Sequence, residues 1–164
     1  MSKNYNEMLP VFEQGKCIPR LLHQTYKSKI VEDAALKSNI EHLKTLNPFW
    51  RYTLYDDADI EEFILRSYGK EIYAYYQRIE PCYGAAKADF FRYLLMYKCG
   101  GVYLDIKSTN DLPLDDVLLP DEQYILAHWD NLEGGMYVDH GRHPGLEKVS
   151  PQGEYQQWFI VAAP

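Results

Sequence analysis

Apolar residues along the chain come in short blocks whose period shifts between that of a strand and that of a helix. Residues 18–24 read as an opening strand, with Pro19 at its start and the polar run His23-Gln24-Thr25-Tyr26-Lys27 where it ends. Residues 31–46 carry Leu36, Ile40 and Leu43 at spacings of four and three, which predicts a helix stopped by Pro48. Residues 50–55 alternate and are β-favouring, hence a second strand. Asp56 and Asp57 then mark a helix start, where carboxylates cap free N–H groups. Ile60, Phe63 and Ile64 give that helix a buried face, Gly69 breaks it, and Ile72, Tyr75, Tyr76 and Ile79 predict another. Past Pro81, residues 83–98 form a helix that looks apolar on nearly every side and therefore buried most of the way round. Gly100 and Gly101 end it, and Val102-Tyr103-Leu104 is short and apolar enough to be a buried strand. Residues 111–120 read as a connector, 123–127 as a strand, 128–152 as a long surface loop or hairpin, and 155–163 as a last strand or buried segment. Strands alternating with helices predict an α/β fold with a largely parallel sheet.

Domain organisation follows from the same pattern. Residues 1–17 are expected as a polar, loose lead-in, and 18–164 as one domain. The core-like residues 158–164 suggest a domain truncated at its C-terminal side. The length of 164 residues suits one domain with a real core, and 46% hydrophobic residues is too many for disorder. The net charge of −7 argues against nucleic acid as partner, since phosphate backbones select basic faces, but leaves room for a single nucleotide. Fifteen tyrosines lean towards a surface that is apolar and hydrogen-bonding at once, as in sugar and nucleotide sites. No apolar run approaches the ~20 residues of a membrane span, and the N-terminus lacks the apolar core of a secretion signal. Cys17, Cys82 and Cys99 are unpaired in spacing and read as reduced thiols of a cytosolic protein.

Chemistry concentrates between Tyr83 and Ser108. Asp89 and Arg92 stand one turn apart on the central helix and face the same way. They read either as an internal salt bridge or as an acceptor and a donor presented to a polar ligand. Asp105 emerges at the carboxyl end of the central strand, where open α/β sheets bind ligands. Lys107, two residues on, points the same way if the chain stays extended, and its ammonium suits a phosphate. In the later loop, Asp130, Glu133, Asp139, His140 and His143 are candidates for an acceptor side, although loop polarity alone explains them too. His140 and His143 outside a helix are weak metal evidence. Trp129 and Trp158 are candidate sugar platforms, with core packing the stronger reading for Trp158.

The run A-K-A-D-F-F-R-Y, a fixed gap and then G-G-V-Y-L-D-I-K resembles the signature of the glycosyltransferase family 32 sugar-binding region. I-P-R-L-L-H-Q-T-Y and N-P-F-W-R-Y-T-L-Y-D-D are similar to that family's first two strands, so the resemblance runs from about Ile18 onward. It implies a GT-A (Rossmann-like) fold and hexosyl transfer from a nucleotide sugar, typically with retention of anomeric configuration. It implies that Tyr26 flanks the nucleotide base, helped by His23, Gln24 and Thr25. Asp89 and Arg92 would grip the donor sugar. Tyr103 and Asp105 would contact ribose and diphosphate. Apart from the resemblance, Asp105 and Lys107 are the expected catalytic pair and His140 an expected substrate contact on the acceptor side.

One position departs from the family. Its usual D-x-D ends in an aspartate that ligates Mn2+ or Mg2+, and here that place is Lys107. An ammonium repels a divalent cation and cannot ligate it. Three readings stay open: Lys107 replaces the metal's charge on the leaving diphosphate, a metal binds Asp105 with carboxylates or histidines elsewhere, or the chain is an impaired nucleotide-sugar-binding module. A different class, a haloacid-dehalogenase-type phosphotransferase with Asp105 as nucleophile, is faintly suggested by residues 103–109. The expected partners are a nucleotide-sugar donor and a glycan or lipid-linked acceptor in surface polysaccharide synthesis. The expected location is the cytoplasm, peripheral to the inner face of the membrane.

Overall fold

The structure, a computed structural model, describes residues 8–164. Five strands form one sheet in the order β2-β1-β3-β5-β4. β1 (Leu21–Thr25) pairs in parallel with β2 (Arg51–Tyr55) on one side and with β3 (Gly101–Leu104) on the other. β5 (Phe159–Ala162) runs antiparallel to β3, and β4 (Tyr124–Ile125) antiparallel to β5. The expected strand over 123–127 is thus reduced to two residues, and the last strand reverses direction.

Alternation along the strands sorts the core into two layers. Leu22, Val102, Leu104 and Val161 face α1 (Ala34–Leu46), whose Leu43 joins them in one buried cluster. Tyr103, Ile160 and Ala162 face the other way, onto α2 (Asp57–Gln77) and α3 (Gly84–Cys99). Asp33 caps α1 by accepting from the amides of Ala35 and Leu36 at 2.8 and 3.0 Å. Asp56 and Asp59 form a reciprocal capping box at the start of α2. Gly69 adopts φ 79°, so α2 bends there instead of ending, and the two expected helices are one kinked helix.

Three further expectations change. α3 is buried on one face only: Phe91, Leu94, Leu95 and Met96 are inside, while Tyr93, Tyr97 and the first three residues, Gly84, Ala85 and Ala86, are exposed. Its N-terminal half extends beyond the core, where small residues leave open space instead of packing. The connector over 111–120 contains a short helix, α4 (Leu114–Val117), whose first amide donates to Asn47 Oδ1 at 2.7 Å. Of the expected lead-in, residues 8–17 lie against the fold: Phe12 meets Tyr68 edge-on, and the Gly15 amide donates to the Pro164 carbonyl at 2.8 Å. Residues 1–7 lie outside the described residues.

Candidate functional site

Where β1 and β3 end, the sheet leaves a cleft of about 800 Å³. One wall is the end of β1, with Thr25, Tyr26 and Lys27. The floor is the turn at residues 105–108 that follows β3. The exposed start of α3 contributes Gly84, Ala85, Lys87 and Ala88, and the far wall is Trp129, Tyr137 and Trp158. Two of the predicted strand ends therefore open onto one space, as the carboxyl ends of parallel strands do in open α/β sheets.

The chain does not stay extended after β3. Ser108 N donates to the Asp105 carbonyl at 2.8 Å and closes a turn, so Lys107 reaches the cleft through a bend. This corrects the expected extended geometry and keeps Asp105 and Lys107 on the same cleft. The turn is held from below. Gln24 Nε2 donates to the Asp105 carbonyl at 3.1 Å, and Asn39 Nδ2 donates to the carbonyls of Ile106 and Ser108 at 3.1 and 2.8 Å. Asn39 was not singled out in the sequence. In the sequence it is only a polar amide next to Ile40 in the apolar stripe of α1.

Arg92 is the buried charge of the site. Its side chain is 6% exposed and lies between two half-exposed acids: it pairs with Asp89, and its Nη1 stands 3.4 Å from Asp105 Oδ1. It also donates to the Gln157 carbonyl, and its Cζ lies 5.5 Å from the centre of the Tyr103 ring. Its Nε is buried without a partner among the described residues. Neither Asp89 nor Arg92 lines the cleft. The Arg92 guanidinium lies behind the cleft, within ion-pair reach of the Asp105 carboxylate.

Besides Asp89 and Arg92, four more predicted contacts sit elsewhere than on the cleft surface. Tyr103 is fully buried, its hydroxyl 3.0 Å from Thr25 Oγ1, and burial pushes its pKa up to about 12. It supports Thr25, which does line the cleft, and has no surface to offer a ribose. Gln24 is fully buried and receives the Tyr52 hydroxyl at 2.9 Å on Oε1. His23, 2% exposed, donates from Nε2 to the Gly100 carbonyl at 3.1 Å and accepts on Nδ1 from the Tyr55 hydroxyl at 3.2 Å. Burial pulls its pKa down to about 4, outweighing the Gly100 hydrogen bond that raises it. The close seat of His23 explains Gly101: a Cβ there would lie 2.5 Å from the Leu21 carbonyl and 3.2 Å from His23 Nε2, at a φ of 98°. His140 is exposed, 5.9 Å from the Trp129 ring, and stands behind the aromatic wall instead of on the cleft.

The aromatic wall is tied to the strand end. Asp105 N donates to the Trp158 carbonyl at 2.9 Å, and the Trp158 ring meets Trp129 edge-on at 4.2 Å. Both tryptophans pack and line the cleft together, so core and platform are not alternatives here. Trp129 Nε1 is buried without a partner among the described residues. Asp130 serves its own loop, accepting from Met136 N at 2.9 Å, and His143 stands 3.4 Å from Glu154.

The donor set does not fit a divalent cation. Among the described residues no three His, Cys, Asp or Glu side chains come together as a metal group. At the cleft, Asp105 is one carboxylate shared with Arg92 and placed two residues from Lys107. In phosphate sites Mg2+ is held by one or two carboxylates together with water and the substrate's phosphates, and here the position two residues after Asp105 offers an ammonium in place of a second carboxylate.

The family described as the glycosyltransferase sugar-binding region containing DXD motif matches residues 22–125, from β1 through β4. Inositol phosphoceramide mannosyltransferase 3 of Schizosaccharomyces pombe is 33% identical over 108 residues, covering 64% of this chain and 28% of that protein. Initiation-specific alpha-1,6-mannosyltransferase of Candida albicans is 27% identical over 155 residues, covering 91% of this chain and 40% of that protein. The chain thus spans well under half the length of these two relatives. The solved structure of PaToxG glycosyltransferase superposes with a TM-score of 0.52 at 18% identity, over 69% of this chain and 50% of its own, and shows a GT-A-like α/β fold. The family match also removes the haloacid-dehalogenase reading of Asp105. This chain belongs to the glycosyltransferase family defined by the sugar-binding region containing the DXD motif.

Proposed function

We propose that the cleft binds a nucleotide sugar, and that the chain is the donor-binding part of a glycosyltransferase. The observation that carries this is the convergence of Tyr26 at the end of β1 with Asp105 and Lys107 after β3 on one cleft of about 800 Å³. That volume lies in the range of small-molecule sites. Tyr26 supplies a ring for the base, and the 105–108 turn supplies polar groups for ribose and diphosphate. The α3 N-terminus has no side-chain cap, so its free amides favour an anionic or hydroxyl-rich ligand. The aromatic wall of Trp129, Tyr137 and Trp158 offers apolar faces to an acceptor sugar.

In this reading the residues act by orientation and charge. Arg92 pairs with Asp105, Gln24 holds the Asp105 carbonyl, Asn39 holds the turn that follows, and the cleft walls limit water around the sugar. The reaction is hexosyl transfer, with retention, to a glycan or lipid-linked acceptor in surface polysaccharide synthesis. It takes place in the cytoplasm, peripheral to the membrane. Because both relatives named above are mannosyltransferases, a mannosyl donor is the first to test. Lys107 favours a second reading, a nucleotide-sugar-binding module without turnover.

A thermal-shift screen of nucleoside diphosphate hexoses tests the first step. One of them should raise the melting temperature, its parent nucleoside should do so less, and Tyr26→Ala should abolish the shift. No shift with any donor contradicts the proposal. Release of free nucleoside diphosphate on adding acceptor then separates the enzyme from the binding module.

A further inference from the structure

We infer that this cleft binds the donor's diphosphate without a divalent cation, the ammonium of Lys107 standing where a DXD motif would give a metal its second aspartate. The inference rests on the nucleotide-sugar reading above. It goes beyond that reading by assigning the charge that neutralises the diphosphate to this chain's own side chains.

The first observation is the motif itself. The matching family is described by DXD, and the turn after β3 reads Asp105-Ile106-Lys107. A lysine at that position removes a ligand and adds a repulsion at the same site. The second observation is the state of the remaining acid. Asp105 is not a free anion waiting for a cation, since Arg92 Nη1 already stands 3.4 Å away, and that guanidinium is 6% exposed and held on its other side by Asp89.

The third observation is the placement of Lys107. Its turn is fixed by two hydrogen bonds from Asn39 to the carbonyls on either side of it, those of Ile106 and Ser108. The side chain is exposed, lines the cleft, and has no hydrogen-bond or ion-pair partner among the described residues. An unpaired ammonium on an anchored turn is a site for an anion. The fourth is the balance of charge around it. Lys27 and Lys87 line the same cleft, against Asp57 and the already paired Asp105. On a chain of net charge −7, this is a local cationic pocket, and a pyrophosphate is the group in a nucleotide sugar that it complements.

Isothermal titration of the metal-stripped chain with UDP-glucose and GDP-mannose, and with UDP and GDP, in EDTA and again in Mn2+, tests this. At least one should bind in EDTA, with an affinity that Mn2+ changes by less than about twofold. Lys107→Ala should weaken that binding about tenfold, the loss of one charge-assisted contact to phosphate, and Lys107→Arg should largely keep it. Lys107→Asp should lose binding in EDTA altogether. Because Lys107 is exposed and unpartnered, the melting temperature of each variant without ligand should match the parent chain and so exclude misfolding. Binding that appears only with Mn2+, or that Lys107→Ala leaves unchanged in EDTA, overturns the inference and leaves the nucleotide-sugar reading standing. Binding of none of the four probes in either buffer overturns both.

Discussion

The two walls of the cleft are built by different means. The wall at β1 and β3 stands on a parallel sheet whose strand ends are tied by buried polar side chains. His23 holds the Gly100 carbonyl, Gln24 holds Asp105, and Asn39 holds the turn that follows. The opposite wall lies between Ile125 and Phe159, a stretch whose regular structure is a single 3-10 turn at Leu146–Lys148 and a bridge between His128 and Tyr155. Ring contacts around Trp129 and the buried Asn131, which donates to the His140 and Gln152 carbonyls at 2.8 and 3.1 Å, hold that wall together. It leaves Leu132, Met136 and Val138 exposed. Backbone hydrogen-bonded in a sheet opens rarely, and backbone in turns opens often. The first wall is therefore the more rigid of the two; in the proposed function it is the donor side, and the looser second wall is the acceptor side.

Breaking the first wall should cost the most. Arg92→Met removes the guanidinium shared by Asp89 and Asp105, and should lower stability to urea by about 3 kcal/mol, chiefly because the Gln157 carbonyl loses its charged donor, since both acids reach water. Donor binding should fall with it, since Asp105 loses its anchor.

Acid should loosen the same wall. His23 has an ordinary pKa of 6.5 and is held near 4 in the fold, chiefly by burial. Between those values the unfolded chain takes up a proton that the folded chain refuses. Stability present above pH 6.5 is therefore lost as the pH falls towards 4, on the order of 2–3 kcal/mol by pH 4.5. Urea titrations at pH 7 and 4.5 measure the loss, and His23→Gln should shrink it.

Asn39→Ala should cost about 1–2 kcal/mol, two carbonyls losing their donor. Its effect on donor affinity should exceed that of any single change on the aromatic wall. The smallest effect separates the walls most cleanly. Trp129→Phe should leave the donor Kd unchanged and raise the KM for acceptor a few-fold, measured by steady-state kinetics with each substrate varied in turn. A donor Kd that rises in step with the acceptor KM would show that the two walls are one unit.

The same contrast explains what the amino-acid sequence revealed. Leu36, Ile40 and Leu43, the alternation at 51–55 and the Gly100-Gly101 pair are local signals, and they place α1, β2, β3 and the strand-end position of Asp105. The reach of Lys107 depended on a turn whose hydrogen bonds come from Asn39, in a helix far along the chain. The burial of Tyr103 and the retreat of Arg92 behind the cleft depend on which face of β3 meets α3. Of the aromatic wall, Trp129 and Trp158 stood out as candidate platforms, but their packing against each other and against Tyr137 leaves no period in the sequence.

The donor site itself is most directly located by NMR. In a titration of the chain with a nucleoside diphosphate hexose, the backbone amides of Tyr26, Lys27 and residues 105–108 should shift first and furthest, and those of the groove between α1 and β2 should stay still. Shifts centred on that groove, or spread evenly over the sheet, would contradict a donor site at the ends of β1 and β3.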